Sequence, residues 1–414
     1  CPGPALMKAL VLCFSLVASA IGADSRLEGA RQALDDGLPQ VAIYRLRQAL
    51  GKKLPKEDQN AAEMLLAQAL FAAGRYDESA SLLGKMAAGV ESRFWLAQTY
   101  AALGKPAKAL PLYQALSRET GFAAQAAVGA AKMLVALGRV SEAAEALSTF
   151  LEGNPSSSEA ALELAEIRLK AGDASGTINV LSSVEGLSPK QQQRATYLIA
   201  RSLLESGKAA DAEHKLKTIK DPPAWLAADI AVALAECRLQ QDDVGEADKI
   251  METFIEENSR LPGLPVAFAA LDRVYAHEGA ASSAELRRWA ADPRNSQRAA
   301  LALFYLARNE SRSSKAEKSR QLFSEFLEKY PSHFLASSAR AELAASQIAA
   351  GRAQEALKIA QAGQGFRNSF VLGQAQAALG RYEDAAASFL QAAGASELEA
   401  AALENSAVCS LLAG

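Results

Sequence analysis

Histidine is the residue of this chain that could most readily act in catalysis or bind a metal, since imidazole serves as a base and as a zinc ligand near neutral pH. The chain has three, His214, His277 and His333, which lie 63 and 56 residues apart. They show no ligand spacing to one another or to a cysteine. The sequence therefore predicts no metal site and no cofactor, and we interpret each histidine as a surface residue.

Other catalytic patterns are equally weak. The acidic pair Glu256-Glu257 could supply an acid and a base, but it stands in a helical stretch beside a loop and is interpreted as a solvated face. No phosphate-binding glycine loop, dinucleotide fingerprint, GxSxG or HExxH motif occurs. These residues predict that the chain is not an enzyme.

Composition points to a chain of many thin helices. The chain has 414 residues, 50% hydrophobic but only 6% aromatic, with alanine abundant. The formal net charge is -3, from 44 basic and 47 acidic residues. Because no large field of one sign results, the sequence predicts neither a nucleic-acid partner nor attachment to an acidic membrane.

One unit recurs along almost the whole chain, and residues 370–393 are its clearest copy. Two short amphipathic helical patterns are joined there by Gly380, which predicts a helical hairpin. Equivalent turn residues are spaced 29 to 37 residues apart, with a mean close to 34. They are Gly37, Gly74, Gly104, Gly138, Gly172, Gly207, Asp242, Gly279, Ser314, Gly351, Gly380 and Gly414.

Small residues flank each turn at fixed distances. Seven residues before the turn, eleven of the twelve units have Ala or Gly, and only Asp272 departs from the pattern. Five residues after the turn the residue is always Ala, Ser or Thr. Since two helices approach closely only where both side chains are small, we expect the helices of each hairpin to cross at these positions.

Cys237 and Cys409 stand about five repeats apart, which is too far for a disulfide, and are interpreted as separate buried thiols.

This pattern resembles the tetratricopeptide repeat family, most closely in residues 74–80 and 380–385. Pro155, Pro189 and Pro331 stand seventeen residues after their turns, where that family ends its second helix. The resemblance implies an all-α, right-handed superhelical solenoid of antiparallel helix hairpins, with about eleven to twelve repeats. Asp272 and residues 279–293, with Trp289, depart from the family pattern, so we expect a distorted repeat there.

In tetratricopeptide proteins the residues ten and six before the turn point into the concave groove. That resemblance implies partner-binding roles for aromatic and arginine residues at these positions. The family's carboxylate clamp needs a Lys and Asn pair that this chain lacks at these positions. The candidate partner-binding residues are Phe94, Tyr197, Arg201, Arg273, Phe304, Arg308 and Phe370.

Two alternatives remain open for these residues. The aromatic rings could pack against neighbouring repeats instead of binding a partner. Arg201 and Arg273 could pair with Glu166 and Glu236 on adjacent first helices, since exposed ion pairs are common and weak.

The N-terminal region has the pattern of a secretory leader. Met7-Lys8 begins an uncharged run of 13 residues, 9–21, which small residues follow. We interpret residues 1–23 as a signal peptide with upstream residues, cleaved after Ala20 or Ala23; the alternative is an apolar first helix of the solenoid. Residues 24–414 form the solenoid, which we expect to be truncated at its C-terminus because Gly414 is itself a turn residue.

The sequence therefore predicts a non-catalytic protein–protein interaction scaffold of the bacterial cell envelope, periplasmic or secreted. It would bind a protein or peptide in its concave groove, belong to an envelope complex, and have no membrane span after leader cleavage. One alternative is the recognition arm of a larger enzyme or regulator whose catalytic domain lies beyond residue 414. Another is a self-assembling structural array.

Overall fold

A computed structural model describes residues 25–52, 54–277 and 284–414, which are helical and contain no strand. The predicted leader, 1–23, lies outside them. The chain divides into two compact units, of which unit 1 ends at Glu205 and unit 2 begins at Ser206. The helices of unit 1 are α1 Ser25–Asp35, α2 Pro39–Leu50, α3 Lys56–Ala72, α4 Tyr76–Leu83, α5 Val90–Ala102, α6 Pro106–Leu116, α7 Ala123–Ala136, α8 Val140–Gly153, α9 Ser158–Lys170, α10 Ala174–Ser182 and α11 Pro189–Glu205.

Unit 2 continues the same alternation of helices. Its helices are α12 Ala209–Lys217, α13 Ala224–Gln240, α14 Val244–Glu257, α15 Leu264–His277, α16 Ala284–Ala290, α17 Ser296–Arg312, α18 Ala316–Lys329, α19 Ala336–Ala349, α20 Ala353–Gln361, α21 Phe366–Ala378, α22 Tyr382–Ala392 and α23 Glu399–Ala413. Within each unit most helices pack on the next, and many odd-numbered helices also pack on the next odd-numbered helix. This confirms an all-α solenoid of helix hairpins. We call the odd-numbered helices the first helices.

The predicted turn residues adopt the left-handed backbone conformation that ends a helix. Gly138 has φ +76°, and the following Arg139 N–H donates to the carbonyl of Leu134, five residues earlier, at 2.9 Å. This closes the first helix of the hairpin and reverses the chain. Asp242 and Ser314 adopt the same conformation, both at φ +58°, although side chains disfavour it. The turn predicted at Gly279 lies outside the described residues.

Within each unit the small residues meet where the two helices of a hairpin cross, as the spacing predicts. Seven before the turn, the fully buried residues are Ala30, Ala67, Ala97, Ala131, Ala165, Ala200, Ala235, Ala307 and Ala344. Five after it they are Ala42, Ser79, Ala109, Ala143, Thr177, Ala212, Ala247, Ser319, Ala356 and Ala385. Two members of the pattern, Ala284 and Ala407, are exposed and fall outside the rule.

The repeat that departs from the pattern is distorted, as expected. Its second helix, α16, has only seven residues. Trp289 of α16 is buried, with its ring edge-on to Phe268 at 5.7 Å, and its Nε1 donates to a carboxylate oxygen of Glu256. A large aromatic ring is thus part of the core of this repeat.

Candidate partner-binding surface

The residues considered for catalysis lie apart in the structure. His214 and His277 are exposed on α12 and α15. His333 is half-buried instead of exposed, packed on Phe334 with ring centroids 4.5 Å apart, and burial lowers its pKa. Within the described residues no three His, Cys, Asp or Glu side chains are placed to hold a metal ion.

The structure confirms the interpretation of the two cysteines but changes that of Glu256. Cys237 and Cys409 are free and buried, as interpreted from the sequence. Glu256 is not a simple solvated carboxylate, because it accepts hydrogen bonds from Arg288 and Trp289 and forms an ion pair with Arg298 at 3.3 Å. Burial opposes its ionisation, but these hydrogen bonds and charges outweigh burial and lower its pKa. The role of Glu256 is to hold the distorted repeat together.

In unit 1 the structure corrects the assignment of Phe94. Its ring is fully buried, 5.0 Å from the ring of Phe122 and 6.3 Å from that of Tyr113. A ring in this position stabilises the packing between repeats and does not reach a partner. The alternative that the aromatic rings pack against neighbouring repeats therefore holds for Phe94.

Polar pairs join successive first helices of unit 1. Lys132 of α7 lies 3.3 Å from Glu163 of α9, whose pKa burial raises although Lys132 opposes the shift. Glu166 of α9 pairs at 2.8 Å with Arg194 of α11. Arg194 is thus a partner of Glu166 that the sequence analysis did not consider.

Tyr197 and Arg201, the other candidates in unit 1, are both half-buried on α11. Their binding roles stay a prediction.

In unit 2 the predicted arginines lie on α15 and α17 and contact carboxylates. Arg273 pairs with Glu236 of α13 at 3.1 Å, so the ion-pair alternative is right for this residue. Arg308 lies 3.1 Å from Asp272, and Arg312, one turn further along α17, lies 2.6 Å from the same carboxylate oxygen. The structure thus places two guanidinium groups on one buried carboxylate.

The two phenylalanines of unit 2 that were predicted to bind a partner differ in how deeply they are buried. Phe304 is buried among Tyr305, Phe323 and Phe326, with centroid distances of 5.2 to 5.7 Å. This ring is a core residue, which corrects its assignment. Phe370 is half-buried against Phe389 at 5.3 Å, and its binding role stays a prediction.

A cavity of about 590 Å³ opens on the first helices α19, α21 and α23. Its lining is mainly apolar, and Val408 and Leu412 are 49% and 57% exposed. Phe389, on which Phe370 packs, forms part of the wall. The lining includes Ala345, Ile348, Ala349, Gln374, Val408 and Leu412.

The sequence offered a signal for these residues that the aromatic and arginine criterion missed. Ala345, Gln374 and Val408 stand six residues before their turns, the same offset as Arg273 and Arg308. Alanine and valine at that offset do not by themselves indicate a binding site, because both residues are common in helices. Only the structure shows that α19, α21 and α23 bring these residues around one mainly apolar cavity.

Two family models described as "Tetratricopeptide repeat" match the chain. One matches residues 27–94, 94–148, 128–176 and 370–414, and the other matches residues 301–333. Together these matches cover more than half of the chain. The chain belongs to the tetratricopeptide repeat family. Because such solenoids bind partners along their stacked hairpins, membership indicates a protein–protein interaction scaffold, and the tetratricopeptide fold is in general not catalytic.

Similar solved structures include the APC/C hetero-tetramer Cut9–Hcn1, at 15% identity and TM-score 0.49, covering 95% of this chain and 75% of that one. A tetratricopeptide repeat protein from Parabacteroides merdae ATCC 43184 has 12% identity and TM-score 0.38, covering 77% and 98%. Naa15/Naa10 bound to HypK-THB has 13% identity and TM-score 0.30, covering 88% and 67%. A search of curated proteins found no match to this tetratricopeptide chain.

None of the described helices of this tetratricopeptide protein is both long enough and apolar enough to cross a membrane.

Proposed function

We propose that this protein is a non-catalytic interaction scaffold of the bacterial cell envelope, and that it binds a segment of a partner protein on its first helices. The observation that carries the proposal is the apolar cavity on α19, α21 and α23. Surface cavities that combine an apolar lining with a few polar groups are the usual sites for side chains of a ligand.

The envelope location rests on the sequence of residues 7–24. A basic start, an uncharged run of 13 residues and small residues at its end are the features of an exported protein. A periplasmic or secreted scaffold with no membrane span after leader cleavage, working in an envelope complex, is the function consistent with that leader.

Site-specific photo-crosslinking in cells of the native organism tests the binding face. The photoreactive residue p-benzoylphenylalanine replaces Ala345 or Gln374 on the cavity wall. In matched control proteins it replaces Lys249 of α14 or Lys358 of α20, both exposed on second helices. We expect envelope proteins to be crosslinked from the first two positions and not from the controls. Crosslinks from the second-helix positions alone, or from none, would contradict the proposal.

A further inference from the structure

The second helix α2 belongs to a segment of the chain in which all charges have one sign. Residues 37–56 contain no Asp or Glu, and their five basic residues are Arg45, Arg47, Lys52, Lys53 and Lys56. The near balance of charge over the whole chain, from which no attachment to an acidic membrane was expected, therefore does not hold locally. Because the potential at a surface is set mainly by charges within about 10 Å, this segment can attract anions although the chain has a net charge of -3.

Three large apolar residues of the same segment face solvent. Leu38, Val41 and Tyr44 are 51%, 38% and 66% exposed, while the opposite face of α2 is buried against the neighbouring helices. Because successive residues of a helix are about 100° apart, Val41 and Tyr44 lie side by side in the middle of the exposed face. Exposed apolar side chains that cluster in this way, unlike single ones, indicate an interaction surface.

Arginines flank this apolar centre on both sides. Arg45 reaches back to α1, where its Nη1 donates to the carbonyl oxygen of Gly29. Arg47 lies on the other side and pairs with Glu78 of α4 at 3.1 Å. Apolar side chains between cations suit a helix that lies on an anionic bilayer, because the apolar groups enter the boundary of the acyl chains while the cations reach the phosphates.

A cavity of about 590 Å³ beside Tyr44 has room for a lipid headgroup. Its lining contains the three cations Arg47, Lys52 and Arg75 and no Asp or Glu. Glu78 accepts hydrogen bonds from Arg75 at 2.6 and 2.7 Å and from Arg47 at 3.1 Å, so three cations face one carboxylate and two positive charges remain in excess. Guanidinium groups held in place by a carboxylate still have N–H donors with which to bind a phosphate.

We infer that the exposed face of α2, together with this cavity, binds the surface of a membrane that contains anionic phospholipids. Val41 and Tyr44 enter the boundary between headgroups and acyl chains, and the cations of the cavity bind phosphates. A soluble polyanion would use the cations but not the exposed aliphatic side chains, so a membrane is the ligand that accounts for both. This attachment is peripheral, goes beyond the proposed scaffold function, and does not depend on which partner the first helices bind.

Co-sedimentation of the mature protein with lipid vesicles tests the inference. The protein is purified from its own organism, and the vesicles consist of phosphatidylcholine alone or of equal amounts of phosphatidylcholine and phosphatidylglycerol. We expect binding to the mixed vesicles, weakened by added salt, and little binding to phosphatidylcholine alone. The absence of binding to mixed vesicles, or equal binding to both kinds, would overturn the inference.

Two double variants test whether α2 is the site. Val41→Ser with Tyr44→Ser removes the apolar centre, and Arg47→Gln with Lys52→Gln removes two cations while Arg75 remains to pair with the nearby carboxylate. Each double variant should weaken binding to mixed vesicles about tenfold. Both variants keep the N-terminus of the parent chain, so any contribution from that region is the same in all three proteins.

Matched changes on other second helices are the controls. Leu390→Ser on α22 removes an apolar side chain that is 62% exposed, and Lys249→Gln with Lys358→Gln removes two exposed cations. These controls should change vesicle affinity less than about twofold. Circular dichroism during thermal unfolding identifies the variants that fold. Folded α2 variants that bind like the parent chain, or controls that lose as much affinity as the α2 variants, would overturn the inference.

A fluorescent label distinguishes a membrane from a soluble polyanion. The environment-sensitive dye NBD is attached to Val41→Cys, since Cys237 and Cys409 are buried and the remaining cysteines belong to the leader. On mixed vesicles we expect the emission to shift to shorter wavelength, because the dye enters an apolar boundary, and we expect no shift with polyphosphate. The same label at Leu390→Cys should show no shift. Vesicle binding without a shift at Val41→Cys would mean simple adsorption to a polyanion and would overturn the inference.

Discussion

The hydroxyl of Ser319 donates a hydrogen bond of 2.8 Å to the carbonyl oxygen of Ala307, twelve residues earlier in the chain. Thr177 donates to Ala165 in the same way at 3.2 Å. In both pairs the donor stands five residues after the turn and the acceptor seven before it. This bond forms only if the backbones of the two helices come close, so it measures how tightly a hairpin is closed.

Replacing Ala131 or Ala235 by Leu should separate the helices of its hairpin. Both alanines are fully buried at the crossing, and overpacking of this kind costs about 1–3 kcal/mol. Chemical denaturation measures the free energy of unfolding. Ala136→Leu on the same helix as Ala131 is the control, since Ala136 is exposed. Equal stability of all three variants and the parent chain would show that the register is wrong.

Ser314→Gly should stabilise the protein. Ser314 holds φ at +58°, a conformation that costs a residue with a side chain about 1–3 kcal/mol. Glycine removes this strain but loses more freedom on folding, so we expect a net gain of about 1 kcal/mol. The reverse change at an equivalent turn, Gly138→Ala, should destabilise the protein. Thermal unfolding of both variants checks the signs, and a lower melting temperature for Ser314→Gly would refute the prediction.

Replacing both Arg308 and Arg312 by Met should destabilise unit 2 strongly. It leaves the buried carboxylate of Asp272 without its two cations, and an uncompensated buried charge costs about 3 kcal/mol or more. Adding Asp272→Ala should restore most of the loss, because alanine is the usual residue at this position of the repeat. Urea denaturation of the double and triple variants measures this coupling. A triple variant as unstable as the double one would mean that Asp272 is not the cause.

Because of Glu310, the stability of unit 2 should fall as the pH is lowered through the acidic range. Burial opposes its ionisation, but hydrogen bonds from Lys318 and Arg287 and the charge of Lys315 outweigh burial and lower its pKa to about 2. Because the pKa of Glu310 in the folded protein lies below the ordinary value of 4.5, its ionised carboxylate stabilises the fold at pH above 4.5. This contribution is lost progressively as the pH falls from 4.5 towards 2.

Glu310→Gln removes this titrating group and should flatten the fall in denaturation midpoint across that pH range. Glu355→Gln, at an exposed residue of α20, is the matched control. Parallel pH profiles of the parent chain and Glu310→Gln would disprove the assignment.

Export should remove the leader. Mass spectrometry of the mature protein from its own organism should find an N-terminus between Ile21 and Asp24, as the small residues there predict. An intact N-terminus at Met7 on a cytoplasmic protein would refute the envelope location.

The sequence by itself determined the architecture, because helical repeats are specified locally. A turn residue in the left-handed conformation and small residues at two fixed distances decide where a helix ends and how closely its partner packs. Asp242 and Ser314 show how strong this specification is, since they adopt the turn conformation without being glycine. The distorted repeat around Trp289 was also visible, because a large aromatic residue breaks the pattern of small ones.

Tertiary structure alone decided which surface positions are available to a partner. Phe94 and Phe304 share the offset of the half-buried Tyr197 and Phe370 yet are buried, because neighbouring aromatic rings pack around them. Val408 and Leu412 are neither aromatic nor arginine and so were not selected from the sequence, yet they line a cavity with residues about sixty positions earlier. The physical reason is that exposure depends on what neighbouring helices contribute, and that contribution is set by packing across repeats and not by the residue's own position.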